Sequence, residues 1–438
     1  MLRAMLTAIG ALTLEQSKMD VISNNIANVN TQGFKASRTN FQDQFSQILD
    51  YGAAPTTTRG GLDPSMIGLG VRLGSVSREF SQGSLESTGR NLDLSVQGDG
   101  FFIFQDPNAN STQFFSRDGS LEMDSQGTLV NIATGYQVLG WSTFKKNADG
   151  SLILDVSGNP QIDTGQNINK IQLPLNSSKA RATSKVMLSG NLDSKKAVGG
   201  TYDSVMSVYD SLGALHNVTI TFTKGASTAT GTGTGKITTW SWAATGTLPE
   251  VVTGGGEVTF DENGLYTGAT VPIPPISVTG STGAQNILLK TTTAFDLSKI
   301  TQMAQTDNVS MAFQNGLAAA AVQNFIVDSN NGDIYAVYGN GLQDKFGRIS
   351  LSTFTNPEGL TQLGKNMYAL SLNSGASVVG WPGNGGKGTL AVGYTEGSNV
   401  DMGREFTQMI LAQRGFQAAS RMITTSDEML QEIVNLKR

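Results

Sequence analysis

The stretch DVISNNIANVNTQGFK, Asp20 to Lys35, decides how the rest of the chain is read, because a helical pattern runs into it and stops. Leu2, Met5, Ile9, Leu12, Gln16, Met19, Ile22, Ile26 and Val29 recur at spacings of three and four, which lays one apolar stripe along a helix. Asn24, Asn25, Asn28 and Asn30 favour something else. Asparagine is poor in a helix interior, tolerates left-handed backbone and bonds neighbouring backbone groups, so the string suits a helix end and an irregular extension. Gly33 then permits a turn and Phe34 offers an apolar anchor. An ordinary helix terminus accounts for one or two of these residues, not for all of them.

The far end carries a matching pattern. Met402, Phe406, Met409, Gln413, Phe416, Ser420, Ile423, Asp427, Leu430 and Val434 alternate strictly as four and three. Gln413, Ser420 and Asp427 interrupt that seam, and polar residues there fix register at some cost in stability. Helices of this kind are marginal alone in water and depend on burying their stripe. Each stripe requires a partner, either the protein's own body or another helix.

The middle of the chain argues for the second. Between the ends lie alternating segments, GDGFFIFQ, GSLEMDSQGTLVN, HNVTITF, GEVTFDENGLYTG and GDIYAVYGNG, which read as strands joined by tight hairpins. Asp124-Ser-Gln-Gly127, Asp155-Val-Ser-Gly158 and Asp261-Glu-Asn-Gly264 supply turn chemistry, since Asp bonds its own backbone and Gly accepts positive φ. The 52 glycines and the 15% of charged residues, against an average near 25%, agree with many short strands. At 438 residues, two or three domains are expected. A β-rich body with helices at both ends suggests helices that pair with each other and with neighbouring copies.

Several chemistries are disfavoured. A net charge of -5 with dispersed Lys and Arg leaves no footprint for nucleic acid. Without cysteine there is no disulfide, thiolate nucleophile or Cys-based metal site. His216, the single histidine, has no second histidine for a metal site or triad and is read as structural. GLGVRLG, Gly68 to Gly74, has the wrong spacing for a phosphate loop and is read as a turn. DSNNGD, Asp328 to Asp333, opens like a calcium loop, but Gly339 stands where a bidentate acid is needed, so a hairpin is expected. Asp427 and Glu428 are adjacent on a helix and point apart. No catalytic, cofactor-binding or metal-binding residues are assigned, and no enzyme activity is expected. MLRAMLTAIGALTL has the look of a leader, but Thr7, Gly10 and Thr13 interrupt its apolar run and no small-x-small site follows. No membrane insertion is expected.

Asp20 to Lys35 resembles the amino-terminal signature of the flagellar axial proteins, the rod and hook group. EGSNVDMGREFTQMILAQRGFQAASRMITTSDEML, Glu396 to Leu430, resembles its carboxy-terminal signature, on Asn399, Asp401, Gln413 and Arg414 among others. GDGFFIF, the segment from Phe115 to Trp141 and that from Asn331 to Leu360 resemble the inner β domain of the group. KARATSKVMLSGNLD and the segment from Thr201 to Gly225 are similar to the outer domain that the hook branch inserts and the rod branch largely lacks.

The resemblance implies a multi-domain, mainly β protein with discontinuous domains and terminal α-helices paired as a coiled-coil-like layer. Its expected parts are a terminal helical domain over 1–30 and 403–438, an extended linker over 31–71 and 385–402, an inner β domain over 72–144 and 320–384, and an outer β domain over 145–319. It implies a structural subunit of a hollow, curved tube that bends while transmitting torque. A distal rod protein and a secreted β-rich adhesin are the alternatives. The implied partners are copies of itself and the rod, hook cap, hook-filament junction and export proteins. The implied location is extracellular, reached without a cleaved leader. Leu2, Met5, Ile9, Leu12, Met19, Ile22, Ile26, Phe406, Met409, Phe416, Ile423, Leu430 and Val434 are the expected polymer interface. The Gly, Ser and Thr tract GASTATGTGTGKITTW is expected to give the outer domain a polar, slidable surface.

Overall fold

Where the apolar pattern has a period near 3.6 the chain is helical, and where it alternates the chain is extended. The computed structural model describes residues 2–108, 112–155, 159–229, 236–246, 251–268, 277–279 and 294–436. It is mainly β, with one long helix at each end, α1 over Leu2–Ala27 and α2 over Met402–Leu436. The two helices pack on each other. Two compact units are present, one of 1–173, 325–335 and 345–438, the other of 174–324 and 336–344.

The first unit is discontinuous because its sheets draw strands from both halves of the chain. Leu94–Gln97 pairs with Thr389–Val392, and Leu85–Ser87 pairs with Tyr394–Glu396. At its centre Phe101–Gln105 lies between Gln137–Trp141 and Gln113–Ser116, with Ile103 opposite Phe115. Next outward come Met367–Ala369 and Thr361–Gly364. Strand geometry aims Phe101 and Ile103 of the apolar run FFIF into a cluster with Phe115, Leu139, Phe354, Leu360 and Tyr368, while Phe102 and Phe104 are buried as well. Edge-on ring contacts tie Phe101 to Phe80 at 5.4 Å and Phe115 to Phe354 at 4.8 Å. Such pairs each contribute about 0.5–1.5 kcal/mol beyond area burial.

The second unit packs two sheets over a common core. Lys185–Asn191 runs parallel to Ala294–Thr301 and antiparallel to Ser310–Gln314. A five-stranded antiparallel sheet runs Thr201–Tyr209, Leu215–Ala229, Lys236–Gly246, Gly255–Phe260 and Tyr266–Gly268. Period-two burial makes the layer: Val186 and Leu188 meet Val208, Ile220, Phe222, Trp240 and Phe260. The turn residues work as read. Asp124 and Asp261 each accept two backbone N–H bonds through Oδ1, and Gly127 and Gly264 stand at φ 80° and 75°. Asp155 Oδ1 likewise accepts the N–H of Asn159 at 2.9 Å, while Val156 to Gly158 lie outside the described residues.

Two local readings change. GLGVRLG does not reverse the chain: Gly70, at φ 121°, interrupts a returning strand that resumes as Val71–Arg78. It belongs to a long two-stranded ribbon, Ser37–Asp50 against Ser65–Arg78, where an extended linker was expected. The helical stripe stops at Ala27, short of Val29, because Asn28 Nδ2 donates to the Asn24 carbonyl and Thr31 Oγ1 to Asn28 Oδ1, which replaces helix bonds with a local turn.

Candidate assembly surface

The signature residues do two kinds of work, and the first is at the junction between helices and body. Asn25, nearly the last residue of α1, is buried and bonds Ser37 at both ends: its Nδ2 donates to the Ser37 carbonyl and its Oδ1 accepts the Ser37 N–H, both at 2.9 Å. That pair folds the chain back on the helix end. Gly33 sits at φ 67° and donates its N–H to the Glu396 carbonyl at 2.7 Å. A Cβ there would lie 2.8 Å from the Asp118 nitrogen, so only glycine fits. Phe34 is buried beside it. Asn399 is the opposite fastening, accepting the Ala36 N–H at 2.7 Å and donating to the carbonyls of Glu79 and Ser81. Asp401 caps α2 by accepting the N–H groups of Gly403 and Arg404. Asn24 and Asn28 bond each other, while Asn30, Gln413 and Arg414 are exposed.

Lys35 and Glu396 close the junction. Neither is solvent-accessible, and Lys35 Nζ donates to Glu396 Oε1 and to the Ser81 carbonyl, both at 2.6 Å. Glu396 Oε1 also accepts the Gly83 N–H at 2.9 Å. Arg117 Nη1 lies 3.5 Å from Glu396 Oε2, with its guanidinium over the Phe101 ring. Burial lowers the Lys35 pKa below its ordinary value; Glu396 opposes that shift and Arg117 adds to it.

The second kind of work is on the helix faces. α2 buries Ala412, Ala419 and Ser426, spaced by seven, so the seam facing α1 is built from small residues. The Glu15 side chain of α1 lies over Gly415, where a Cβ would stand 2.8 Å from its Oε1. From α1, Ala8, Leu14 and Ile22 are buried. Of the expected stripe residues, Ile22 is buried, while Met5, Leu12, Met19, Ile26, Met409, Ile423 and Leu430 are half-buried. Ile9, Phe406, Phe416 and Val434 are exposed, and the Leu2 side chain lies outside the described residues. Leu6, Ile410, Leu411, Met422, Met429, Ile433 and Leu436 are exposed as well. The ribbon adds Phe45 and Tyr51, each 82% exposed, and Ile48, Leu49, Met66, Ile67 and Leu69. The helices and the ribbon thus leave many large apolar side chains in water.

Elsewhere the structure leaves little for chemistry. His216 is buried with Nε2 3.0 Å from Asp210 Oδ2, and Asp210 Oδ1 accepts the N–H groups of Leu212 and Ala214 in the adjoining turn. Burial pushes the Asp210 carboxyl up, but the His216 bond and those two N–H groups outweigh it and hold the carboxyl below its ordinary value. Asp328 to Asp333 forms a tight turn in which Gly332, at φ 68°, donates to the Asp328 carbonyl. Among the described residues no group of three or more His, Asp or Glu could hold a metal, and no helix is long and apolar enough to cross a membrane. In the tract from Gly225 to Trp240, residues 230–235 lie outside the described residues.

Sequence reasoning did not assign Lys35, Arg117 or Glu396 a role, because an isolated charged residue reads as surface. The small-residue seam was also missed, although Ala412, Ala419 and Ser426 recur at seven; the larger neighbours drew the stripe instead.

Four family profiles match the chain: "Flagella basal body rod protein" over residues 5–35, "Flagellar hook protein FlgE/F/G D1 domain" over 95–183, "Flagellar basal body protein FlaE D2 domain" over 174–317, and "Flagellar basal body rod FlgEFG protein C-terminal" over 391–436. The flagellar hook protein FlgE of Treponema pallidum is 34% identical over 481 residues, covering 100% of both chains. The flagellar basal-body rod protein FlgG of Bacillus subtilis is 29% identical, again over 100% of both. Among solved structures, a crystal structure of the Helicobacter pylori flagellar hook protein FlgE2 aligns with a TM-score of 0.45 and 16% identity, over 71% of this chain and 100% of that one.

Proposed function

The chain belongs to the flagellar hook protein family, and from that premise we propose that it assembles with copies of itself into the curved tube of the hook, burying between copies the apolar faces that one copy leaves in water. It is a structural protein of the flagellum, from a family that is not an enzyme family. The observation that carries the proposal is the division of labour on the terminal helices. They pack through Ala412, Ala419 and Ser426 and leave Ile410, Leu411, Met422, Met429 and Ile433 outside. At about 25 cal/mol per Å² of apolar area, covering such a face supplies the drive for assembly.

In this reading the interface comprises the stripe residues that stay exposed, Ile9, Phe406, Phe416 and Val434, together with Ile410, Leu411, Met422, Met429 and Ile433, with the ribbon as a further apolar strap. The terminal helical domain is 1–30 and 403–438, and the outer domain is 145–319. The flagellar rod, cap, junction and export proteins are its other contacts, and its place is outside the cell. Electron microscopy under polymerising conditions tests this, comparing the full chain with Ile410→Asp/Ile433→Asp. Curved tubes from the full chain and none from the variant are expected. Straight, rigid tubes would instead favour the rod reading, which the relative from Bacillus subtilis motivates. Equal assembly by both chains would sink the interface assignment.

A further inference from the structure

Every chain crossing between the helices and the first unit's sheets passes one buried group of charges. Lys35 lies on the outgoing crossing and Glu396 on the returning one, and Gly33 donates its N–H to the Glu396 carbonyl. Ser81 and Gly83 tie in the strand leaving the ribbon, and Arg117 belongs to the body. The charges do not balance. Two cations share one carboxylate, with Lys35, Glu396 and Arg117 at 0%, 0% and 3% side-chain exposure. Arg117 Nε and Nη1 and Glu396 Oε2 are buried without hydrogen-bond partners. A surplus buried charge is costly unless the group neutralises.

We propose that Lys35, Glu396 and Arg117 form a proton-linked latch, which holds the two crossings against the body and grips more firmly once the surplus proton leaves Lys35. Deprotonation would leave one guanidinium facing one carboxylate, while the neutral amine could still donate to Glu396 or to the Ser81 carbonyl. The other charged groups nearby do not supply the missing anion. Asp118 is committed to the Ser120 N–H and Asn131 Nδ2, and Glu79 faces Arg404. Glu86 borders Gly397, and Asp93 contacts the Gly393 N–H through its carbonyl. Neither is ion-paired to Lys35 or Arg117 among the described residues. Tyr368, with Arg78 over its ring, has its pKa raised by burial, which favours its neutral form. Because Lys35 titrates below its ordinary value, the closed latch sheds the proton before an opened chain does. Its stability therefore rises with pH between those two values.

The chain has no cysteine, so Thr395→Cys, a buried position beside Glu396, gives a single thiol whose labelling reports opening. Labelling is measured on the full chain from pH 7 to 10 and divided by that of the unfolded chain at each pH. Protection is expected to rise with pH, by at most about tenfold per unit. Adding Lys35→Met should give high, pH-independent protection, and Lys35→Arg, which cannot shed its proton, low and pH-independent protection. A flat profile in the Thr395→Cys chain, a rise that survives either Lys35 substitution, or a Lys35→Met chain less protected than its parent at pH 7 would each overturn the latch.

Discussion

Phe222 and Trp240 of the second unit and Ile410 and Ile433 of α2 are all large apolar residues, yet the first two are fully buried while the last two stand 59% and 47% exposed. The contrast separates energy used to fold the subunit from energy left over for assembly. In the sandwich core strand alternation aims apolar side chains such as Phe222 and Trp240 at the opposing sheet, so a single chain buries them. On α2 the fully buried positions are small residues, and large ones such as Ile410 and Ile433 are turned away. In the proposed assembly, copies of the chain cover the exposed face of α2.

The contrast can be broken at three levels. Phe222→Ala, in the sandwich core, should cost about 3–5 kcal/mol. The tryptophan fluorescence of Trp240 and Trp242, which share its cluster, would report it as a lower urea midpoint; an unchanged midpoint would show the cluster to be loosely packed. Gly33→Ala should cost about 1–3 kcal/mol, because φ 67° is strained for alanine and the Asp118 backbone blocks the new methyl. The sign of damage is faster proteolysis at the junction with the sandwich melting unchanged. Ile433→Ser should move subunit stability by no more than about 0.5 kcal/mol. It should nonetheless slow polymer growth measured by light scattering, and a large loss of subunit stability would mean that α2 already buries that face.

Much of the architecture was legible because it is periodic. The stripes announced both helices, alternation announced Leu215–Ala229, and the Asp and Gly pairs announced their turns. The ribbon was not legible. Its strands, SRTNFQD and SMIG among them, are short and mixed in polarity, and their pairing joins residues from 15 positions apart, Asp50 with Ser65, to 41, Ser37 with Arg78. The choice of helix seam was also hidden, since a stripe of Met, Phe and Ile and a stripe of Ala and Ser are equally regular in sequence. Which one turns inward depends on how the two helices meet, with the Glu15 side chain of α1 lying against Gly415 of α2.

By itself the sequence determined the mainly β character, the helical ends, the absence of thiol chemistry and the resemblance to flagellar axial proteins, because composition, periodicity and local motifs are properties of neighbouring residues. The tertiary structure alone decided that Lys35 and Glu396, 361 positions apart, meet without water, and that Arg117 joins them. Burial and ion pairing are set by what the fold brings together, and a buried lysine and a solvated one are spelled the same.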